Sequence, residues 1–422
     1  MIRTFYYSWH KLSSIQRILL GILLGIVLGI LAPGWSWISI FGQLFIQSLT
    51  ALAPLLVFGL IIAAVAQHQP GQQTHMKTVI FLYLIATLVA AFVAVAASYL
   101  FPVELVLPDT AGVAETIEVP DSLGGIVSNL LLSMVGNPVA ALMEGNYLTI
   151  LFWAILIGLC LRMASPQTKR FLTDCSEAIT RAVQILIGFA PLGIAGLVYN
   201  SMVEVGLAGM AQYIQVIGLV VGTMLFVGFI IYPLMTWFYI KENPYPLTMY
   251  CAKESGIPAF FTRSSAVNIP INLHAAEKLG LDKDSYTISI TLGGTANSGG
   301  AAITVTCMTL AAAYTLGIDT PFFLAFLLSF MSAVAATGAS GIAGGSLLLI
   351  PLAASLFNIP NEVAMQVVGV GFIIGVIQDS IETALNSASD LLFTAVAEFH
   401  DRKKAGEGLS VNAHVVQAKE ME

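Results

Sequence analysis

Charge is what this 422-residue chain has least of: Asp, Glu, Lys and Arg together make up 10% of it, against 57% hydrophobic residues. Soluble domains carry roughly 25% charged residues, and a mean hydropathy of +0.86 belongs to a chain whose solvent is lipid. Soluble folds are thereby excluded. Cysteine is scarce as well. Cys160, Cys175, Cys251 and Cys307 lie far apart, in or beside apolar segments, with neither metal-ligand nor redox spacing. The 6 histidines are equally scattered. No nucleophile–base pair, metal cluster or phosphate loop is visible, and the hydroxyls of Ser264 and Ser265 have no histidine assigned to them, so an enzyme is the least favoured class. The net charge of −7 says less than the placement of its charges.

What the chain has in abundance is long apolar runs. A span needs about 20 such residues, which predicts helices near 15–31, 38–66, 79–101, 147–163, 179–199 and 214–239. The first run has no small-residue cleavage site and reads as a membrane helix, not a removed leader. A weaker stretch, 123–143, is broken by Gly136-Asn137-Pro138 and leads into the fourth span. After Lys241 come four less regular units, 244–276, 285–315, 321–357 and 362–397.

Lys and Arg concentrate in alternate loops. Arg3, Lys11 and Arg17 precede the first span, Lys77 stands between the second and third, Arg162, Lys169 and Arg170 follow the fourth, and Lys241 follows the sixth. Lys278 and Lys283 precede 285–315, and Arg402, Lys403, Lys404 and Lys419 close the chain. The intervening loops carry acids only, including Glu104, Asp109, Glu115, Glu118 and Asp121. The positive-inside rule then places both termini in the cytoplasm. That parity holds only if 244–276 and 321–357 each return to the side they entered from. Both have small, hydroxyl-rich centres, and a full span separates them, so they enter from opposite faces. Paired broken segments in two halves point to a transporter's site. The expected fold is an all-α polytopic membrane protein with eight transmembrane helices plus two re-entrant helical hairpins related as inverted repeats.

Two polar stretches inside these runs need a reason. In 291–301, Thr-Leu-Gly-Gly-Thr-Ala-Asn-Ser-Gly-Gly-Ala, four glycines and Asn297 weaken a helix at membrane depth. Irregular backbone there is tolerated only where it is buried or lines a cavity, and freed carbonyls suit a small cation. A glycine-rich packing contact is the alternative. In the last unit, Asp379, Glu382, Thr383, Asn386 and Asp390 fall along one helical stripe. A carboxylate at the bilayer centre costs roughly 2.5–3.5 kcal/mol on the mildest scale. Arg263, at the centre of 244–276, is the nearest cation candidate and cannot neutralise three acids. The remaining charge fits a bound cation or an amino group.

With these residues in view, the chain resembles the dicarboxylate/amino acid:cation symporter family, which includes the glutamate transporters. The resemblance covers nearly the whole length. It rests on Thr262-Arg-Ser-Ser265, Leu292-Gly-Gly-Thr-Ala-Asn297, the Gly-rich second hairpin, and Asn386 with Asp390. The Asp379–Ser387 run is most similar to the sodium/serine–threonine symporter branch. The resemblance implies that Arg263, Ser264 and Ser265 approach the substrate α-carboxylate, with backbone of the second hairpin near Gly341 closing over it. Asp379 would meet the α-ammonium, and Thr383 and Asn386 the polar part of the substrate. One sodium would lie among Gly293, Asn297, Asn386 and Asp390, a second near Thr295, Ala336, Thr337 and Ala339. It further implies a homotrimer in a bacterial inner membrane. Residues 1–243 would be mainly scaffold, with the third and sixth spans packed on a moving transport core at 244–397, and 398–422 a cytoplasmic tail. Sodium would be the coupling ion, with no organic cofactor and no nucleic-acid partner.

The chain departs from the acidic-substrate members of that family. Where they carry Asn-Met-Asp-Gly-Thr, this sequence has Asn297-Ser298-Gly299-Gly300-Ala301. The missing acid and hydroxyl would delete a further sodium site, leaving Thr87 as its remnant, and Ser298 removes a sulfur beside the second sodium. Glu382 stands where those members place an arginine that grips a side-chain carboxylate, and would repel aspartate or glutamate. A small neutral hydroxyl amino acid, L-serine or L-threonine, fits better. One charge crossing 100 mV is worth roughly 2.3 kcal/mol, and a tenfold sodium gradient adds about 1.4 kcal/mol. A single sodium therefore suffices to concentrate a zwitterion more than about a hundredfold. Other substrates on the same fold, such as alanine or a dicarboxylate, proton coupling, and a channel or receptor remain as competing readings.

Overall fold

A computed structural model of the protein describes residues 14–67, 76–107, 132, 134–144, 146–337, 344–407 and 410–420. Every regular element among them is helical. Residues 123–131 and 133 of the weak stretch 123–143, and the acidic loop beyond Leu107, lie outside the described residues.

The first half begins with α1 (Ser14–Leu31), α2 (Ser39–Gln67) and α3 (Met76–Leu100). These match the expected first three spans to within three residues. Two short helices follow, α4 (Pro138–Glu144) and α5 (Tyr147–Leu161). The fifth span departs from expectation. The window 179–199 straddles a joint between α6 (Pro166–Gly188) and α7 (Ala190–Met210), which meet at a 55° bend. α6 is amphipathic and carries Lys169, Arg170, Asp174, Glu177 and Arg181, so only its last turns are apolar, and those merge in sequence with the start of α7. Arg181 forms an exposed pair with Glu177 at 3.3 Å. α1 and α2 both pack along α7. A Cβ on Gly42 would stand 2.7 Å from the backbone nitrogen of Leu197, so this crossing needs glycine on α2, the small-residue solution to close packing in lipid.

A continuous run follows through α8 (Tyr213–Phe226), a π-helical turn at Val227–Ile231, and α9 (Tyr232–Ile240). Among the described residues, four runs are long and apolar enough to cross a membrane alone: Ser36–Gln67, Lys77–Leu100, Tyr213–Ile240 and Asn361–Lys404, or five with the bent pair.

The second half contains the two expected hairpin regions. The first rises through α10 (Tyr245–Cys251), a π turn at Ala252–Gly256 and α11 (Ile257–Thr262), reverses at Arg263, and returns as α12 (Ser265–Lys278). Arg263 sits at φ 53°, one of three described non-glycine residues with positive φ, a conformation that side chains resist. Ser264 caps the returning helix by accepting from the N–H of Val267 at 3.4 Å. The 285–315 unit is two helices, α13 (Lys283–Ala296) and α14 (Gly299–Thr315). It starts earlier than expected because Asp282 is the N-cap of α13 and accepts from Ser285 N–H at 2.9 Å. The second hairpin comprises α15 (Phe322–Ala336) and a returning arm in which α16 (Ile350–Ala354) is flanked by 3-10 turns at Gly345–Leu349 and Ser355–Phe357. Its tip, 338–343, lies outside the described residues.

The last helix, α17 (Asn361–Lys404), has 44 residues. At 1.5 Å per residue it is about 66 Å long, roughly twice the hydrocarbon thickness. The segment 398–422, read as a tail, is structured where described: 398–404 continue α17, and α18 (Val411–Glu420) packs on α10 and α12. Glu242 holds this end, bonding Lys403 Nζ at 2.5 Å and accepting from the N–H groups of Val411 and Asn412 at 3.4 Å. α3 packs on α14, and α8 packs on α14 and α17, whereas α2 meets the second half mainly at the returning arm of the second hairpin and at α17.

Candidate functional site

The break between α13 and α14 falls at Asn297 and Ser298, whose φ/ψ values are −108°/92° and −128°/46°. The glycines on either side stay helical. The polar pair stands at the break, where the Asn297 amide and the Ser298 backbone N–H take partners from other helices. The Asn297 amide donates to Ser389 Oγ at 2.6 Å, Asp390 Oδ1 at 2.9 Å and the Asn386 carbonyl at 3.4 Å. Ser298 N–H donates to Thr87 Oγ1 at 3.3 Å, so Thr87 closes the break. Asn297 Oδ1 and Ser298 Oγ are buried and have no hydrogen-bond partner among the described residues. α13 ends here, with its negative dipole end toward Asp390, and α14 begins with Gly300 N–H donating to Asn386 Oδ1 at 2.8 Å.

Gly293, Asn297, Asn386 and Asp390 therefore meet, as the sequence expects of the first cation set. Gly293 lies directly against the Asp390 carboxylate: a Cβ there would be 2.8 Å from Oδ1. Oxygen donors around a carboxylate, two of them short of partners, suit a hard cation. The second set is less complete. Ala339 lies outside the described residues, as does the side chain of Thr295. Ala336 packs with Ala301 and Ala302, and the Thr337 hydroxyl turns back to the Val334 carbonyl at 2.7 Å.

The substrate set divides in two. At the first hairpin tip, Arg263 Nε donates to Asp379 Oδ2 at 2.6 Å, with both side chains more than nine-tenths buried. Asp379 Oδ1 accepts from Gly344 N–H at 3.0 Å, which ties the second hairpin to the same carboxylate. Ser265 is buried beside this pair in sequence, and Ser264 is occupied as a helix cap. Thr383 is bonded within its own helix, to the Asp379 carbonyl at 2.8 Å. Gly341 lies outside the described residues.

Glu382 is one turn along α17 and faces a different group of partners. Its Oε2 accepts from Thr304 Oγ1 at 2.7 Å, Ser346 Oγ at 2.8 Å and Gln378 Nε2 at 2.5 Å. Three donors from α14, the second hairpin and α17 itself hold one carboxylate oxygen, the arrangement that stabilises an anion in a low-dielectric interior. None of Thr304, Ser346 and Gln378 was singled out from the sequence. The signal was available for Gln378, which stands four residues before Glu382 and so on its face of the helix. It was absent for the other two, whose hydroxyls look like any in an apolar run.

A second missed cluster lies behind the site. Asn268 and Asn272 on α12, Ser255 on the rising arm and Ser387 on α17 are all buried and bond to one another at 2.7–3.4 Å. The opposite stripe of α17, at Ile381, Ala384, Leu385, Ala388 and Leu392, lines an apolar cavity of about 730 Å³ shared with α8, α9 and the first hairpin. Its walls are mostly apolar, with Tyr232, Thr248, Lys253 and Ser389 as the polar members, and Ser389 also bonds Asn297 in the polar site. Lys253 and Glu254 at its rim form a pair at 3.4 Å.

Residues 15–399 match the model of the sodium:dicarboxylate symporter family. Among curated relatives, the Serine/threonine transporter SstT of Lacticaseibacillus paracasei is 54% identical over 413 residues, 98% of this chain and 95% of that protein. The protein of the same name from Enterococcus faecalis is 55% identical over 403 residues, 96% of this chain and 95% of its own length. That of Streptococcus agalactiae is 51% identical over 397 residues, 94% and 98% respectively.

Proposed function

The chain belongs to the sodium:dicarboxylate symporter family, and from that premise we propose that it carries serine and threonine into the cell together with sodium. The observation that carries the reading is the buried Arg263–Asp379 pair, set beside an acid, Glu382, that is already fully engaged by neutral donors. A zwitterionic amino acid inserts between the two members of the pair. Its carboxylate takes Arg263, with the Ser264 and Ser265 end of α12 adding helix-terminal N–H groups, and its ammonium takes Asp379. Each buried charge exchanges one partner for another, so binding leaves none unpaired; an unpaired one would cost several kcal/mol. Thr383 and Asn386 lie along the same stripe toward the substrate side chain.

Glu382 acts as the side-chain filter. Thr304, Ser346 and Gln378 keep it in place, so a dicarboxylate would bring a second negative charge against one that cannot swing away. Sodium, carried as co-substrate, takes the oxygens at Gly293, Asn297, Asn386 and Asp390. A second sodium near Thr295, Ala336, Thr337 and Ala339 would sit beneath the second hairpin. The bond between Gly344 and Asp379 gives that hairpin a direct link to the substrate-binding carboxylate. In the larger assembly, residues 1–243 serve mainly as the scaffold of a homotrimer in the bacterial inner membrane. The unit 244–397 moves as an elevator with Gly341 near its substrate gate, and both termini face the cytoplasm.

Radiolabelled serine uptake into proteoliposomes tests this. Accumulation with an inward sodium gradient, its loss when choline replaces sodium, and competition by threonine but not by glutamate are expected. Uptake indifferent to sodium, or blocked by glutamate, would overturn the reading.

A further inference from the structure

The buried cluster behind the site has a geometry that packing alone does not call for. Ser255, Asn268, Asn272 and Ser387 are at most 1% exposed. Asn268 Nδ2 donates to Ser387 Oγ at 2.7 Å and to Ser255 Oγ and the Ser255 carbonyl at 3.1 Å. Asn272 Nδ2 donates to the Ser387 carbonyl at 3.1 Å and to Ser387 Oγ at 3.2 Å. Ser255 Oγ completes the set by donating to Ser387 Oγ at 3.1 Å. Both arms of the first hairpin thus converge on one serine of α17. The cluster also leaves Asn268 Oδ1 buried without a partner among the described residues, an expense that makes it a poor source of stability compared with apolar side chains of the same volume.

Its position gives it another use. Ser387 follows Asn386, whose carbonyl accepts from Asn297 at 3.4 Å and whose side chain accepts from Gly300 N–H at 2.8 Å. Two successive carbonyls of one helix, 386 and 387, are therefore each held by an asparagine from a different element. Successive residues of an α-helix point about 100° apart, so the two grips fix the rotation of α17 at this level. If Ser387 were released, the helix could turn there, and the Asn386 carbonyl and amide would leave their alignment with Asn297 and Gly300.

We propose that Asn268 and Asn272 are positioning residues for the cation site. They hold Ser387 and thereby aim Asn386, without touching ion or substrate themselves. The inference rests on the reading of Gly293, Asn297, Asn386 and Asp390 as the sodium set.

The test uses full-length protein in proteoliposomes and in detergent, with Asn272→Ala, Asn268→Ala and Ser387→Ala compared with wild type. Three quantities are measured: the sodium concentration for half-maximal serine uptake, the serine KM at saturating sodium, and the rise in melting temperature on adding sodium chloride in place of choline chloride. Asn272→Ala is expected to raise the half-maximal sodium about tenfold, leave serine KM at saturating sodium within about twofold, and shrink the sodium-induced melting shift. A merely structural role would lower the melting temperature equally in both salts and leave half-maximal sodium unchanged, which would overturn the proposal. Ser387→Ala, the smallest change, is expected to behave as Asn272→Ala does and carries the test if an asparagine variant does not fold. Asp390→Asn separates the two levels. If it leaves sodium dependence intact, the sodium set itself is wrong. If it weakens sodium dependence while the asparagine variants do not, only the positioning role falls.

Discussion

A single methyl group at Gly293 gives the sharpest test of the cation set. A Cβ at this position would stand 2.8 Å from Asp390 Oδ1, 2.9 Å from Asp390 Cγ and 2.8 Å from the Tyr83 hydroxyl, well inside the roughly 3.5 Å of an ordinary non-bonded contact. Neither neighbour is free to retreat. Asp390 Oδ1 is bonded to Asn297 at 2.9 Å, and the Tyr83 hydroxyl to Thr394 at 2.9 Å and to the Asp390 carbonyl at 3.0 Å. The carboxylate must move by more than half an ångström, which breaks its bond to Asn297 and takes it out of line with the Asn386 carbonyl. A hydrogen bond to a charged group is worth about 1.5–3 kcal/mol, so Gly293→Ala should raise the sodium concentration for half-maximal serine uptake about 10- to 100-fold. Gly294→Ala is the matched control. Its Cβ would meet Ile269 Cδ1 at 3.7 Å, an ordinary contact, and it gains the same helix propensity of about 1 kcal/mol. Sodium titrations of uptake in proteoliposomes, run on both variants, decide the matter. Equal sodium dependence in the two would mean that Asp390 does not hold the ion.

Asp379→Ala should abolish uptake of every amino acid whatever its side chain, because it removes the ammonium site and strands Arg263, a loss of about 3–5 kcal/mol for a broken buried pair; counterflow with labelled serine, threonine and alanine checks this. Glu382→Arg replaces the acceptor shared by Thr304, Ser346 and Gln378 with a cation and should bring serine uptake to background; retained serine transport would remove Glu382 as the side-chain filter. The fourth prediction concerns Glu242. Burial pushes its carboxyl up, but the hydrogen bond and charge of Lys403 and the N–H groups of Asn412 and Val411 outweigh this and hold it below the ordinary value. Since the folded value lies below the unfolded one, α18 is held in place at neutral pH and in mild acid, and is released only as pH falls through the depressed value. A nitroxide on Val416→Cys, an exposed position, should stay immobile down to the carboxylate range and become mobile below it. Glu242→Gln should mobilise it at pH 7.

The features legible in the sequence were those with a strong periodic or chemical signal. The five-membered polar stripe on α17 announced itself because acids are costly in lipid, and its members are all at least nine-tenths buried. The hairpin at Arg263 followed from counting charges in loops. The joint between α6 and α7 was missed because apolar residues run across it, although Gly188 and Pro191 flank it and are the residue types at which helices most often break; the 55° angle itself depends on the fold. The donors to Glu382 were hidden for a related reason. Ser and Thr satisfy themselves within any helix, so a hydroxyl in an apolar run does not reveal which distant acid it serves. The Ser255–Asn268–Asn272–Ser387 cluster was missed: asparagines four apart share a helix face, but which residues they meet depends on the fold. The glycines of 291–301 drew attention for the wrong mechanism. They remain helical, and their role is to admit close neighbours, Asp390 at Gly293 above all.

The length of α17 has a mechanical consequence. Between Val376 and Lys404 it contains no proline and no glycine, the residues at which helices most often kink. Its three glycines, at 369, 371 and 375, stand on the other side of Asp379. The part of the rod that carries the polar stripe is thus stiff toward Lys403 and soft toward Asn361. From Asp390 to Lys403 is about 20 Å at 1.5 Å per residue, and α18 is clamped at the far end through Glu242. Any translation or rotation of the stripe is delivered undiminished to that end, like torque along a shaft. The terminal helix is therefore mechanically coupled to the polar stripe at a point well clear of it, where a reporter touches none of the stripe's residues.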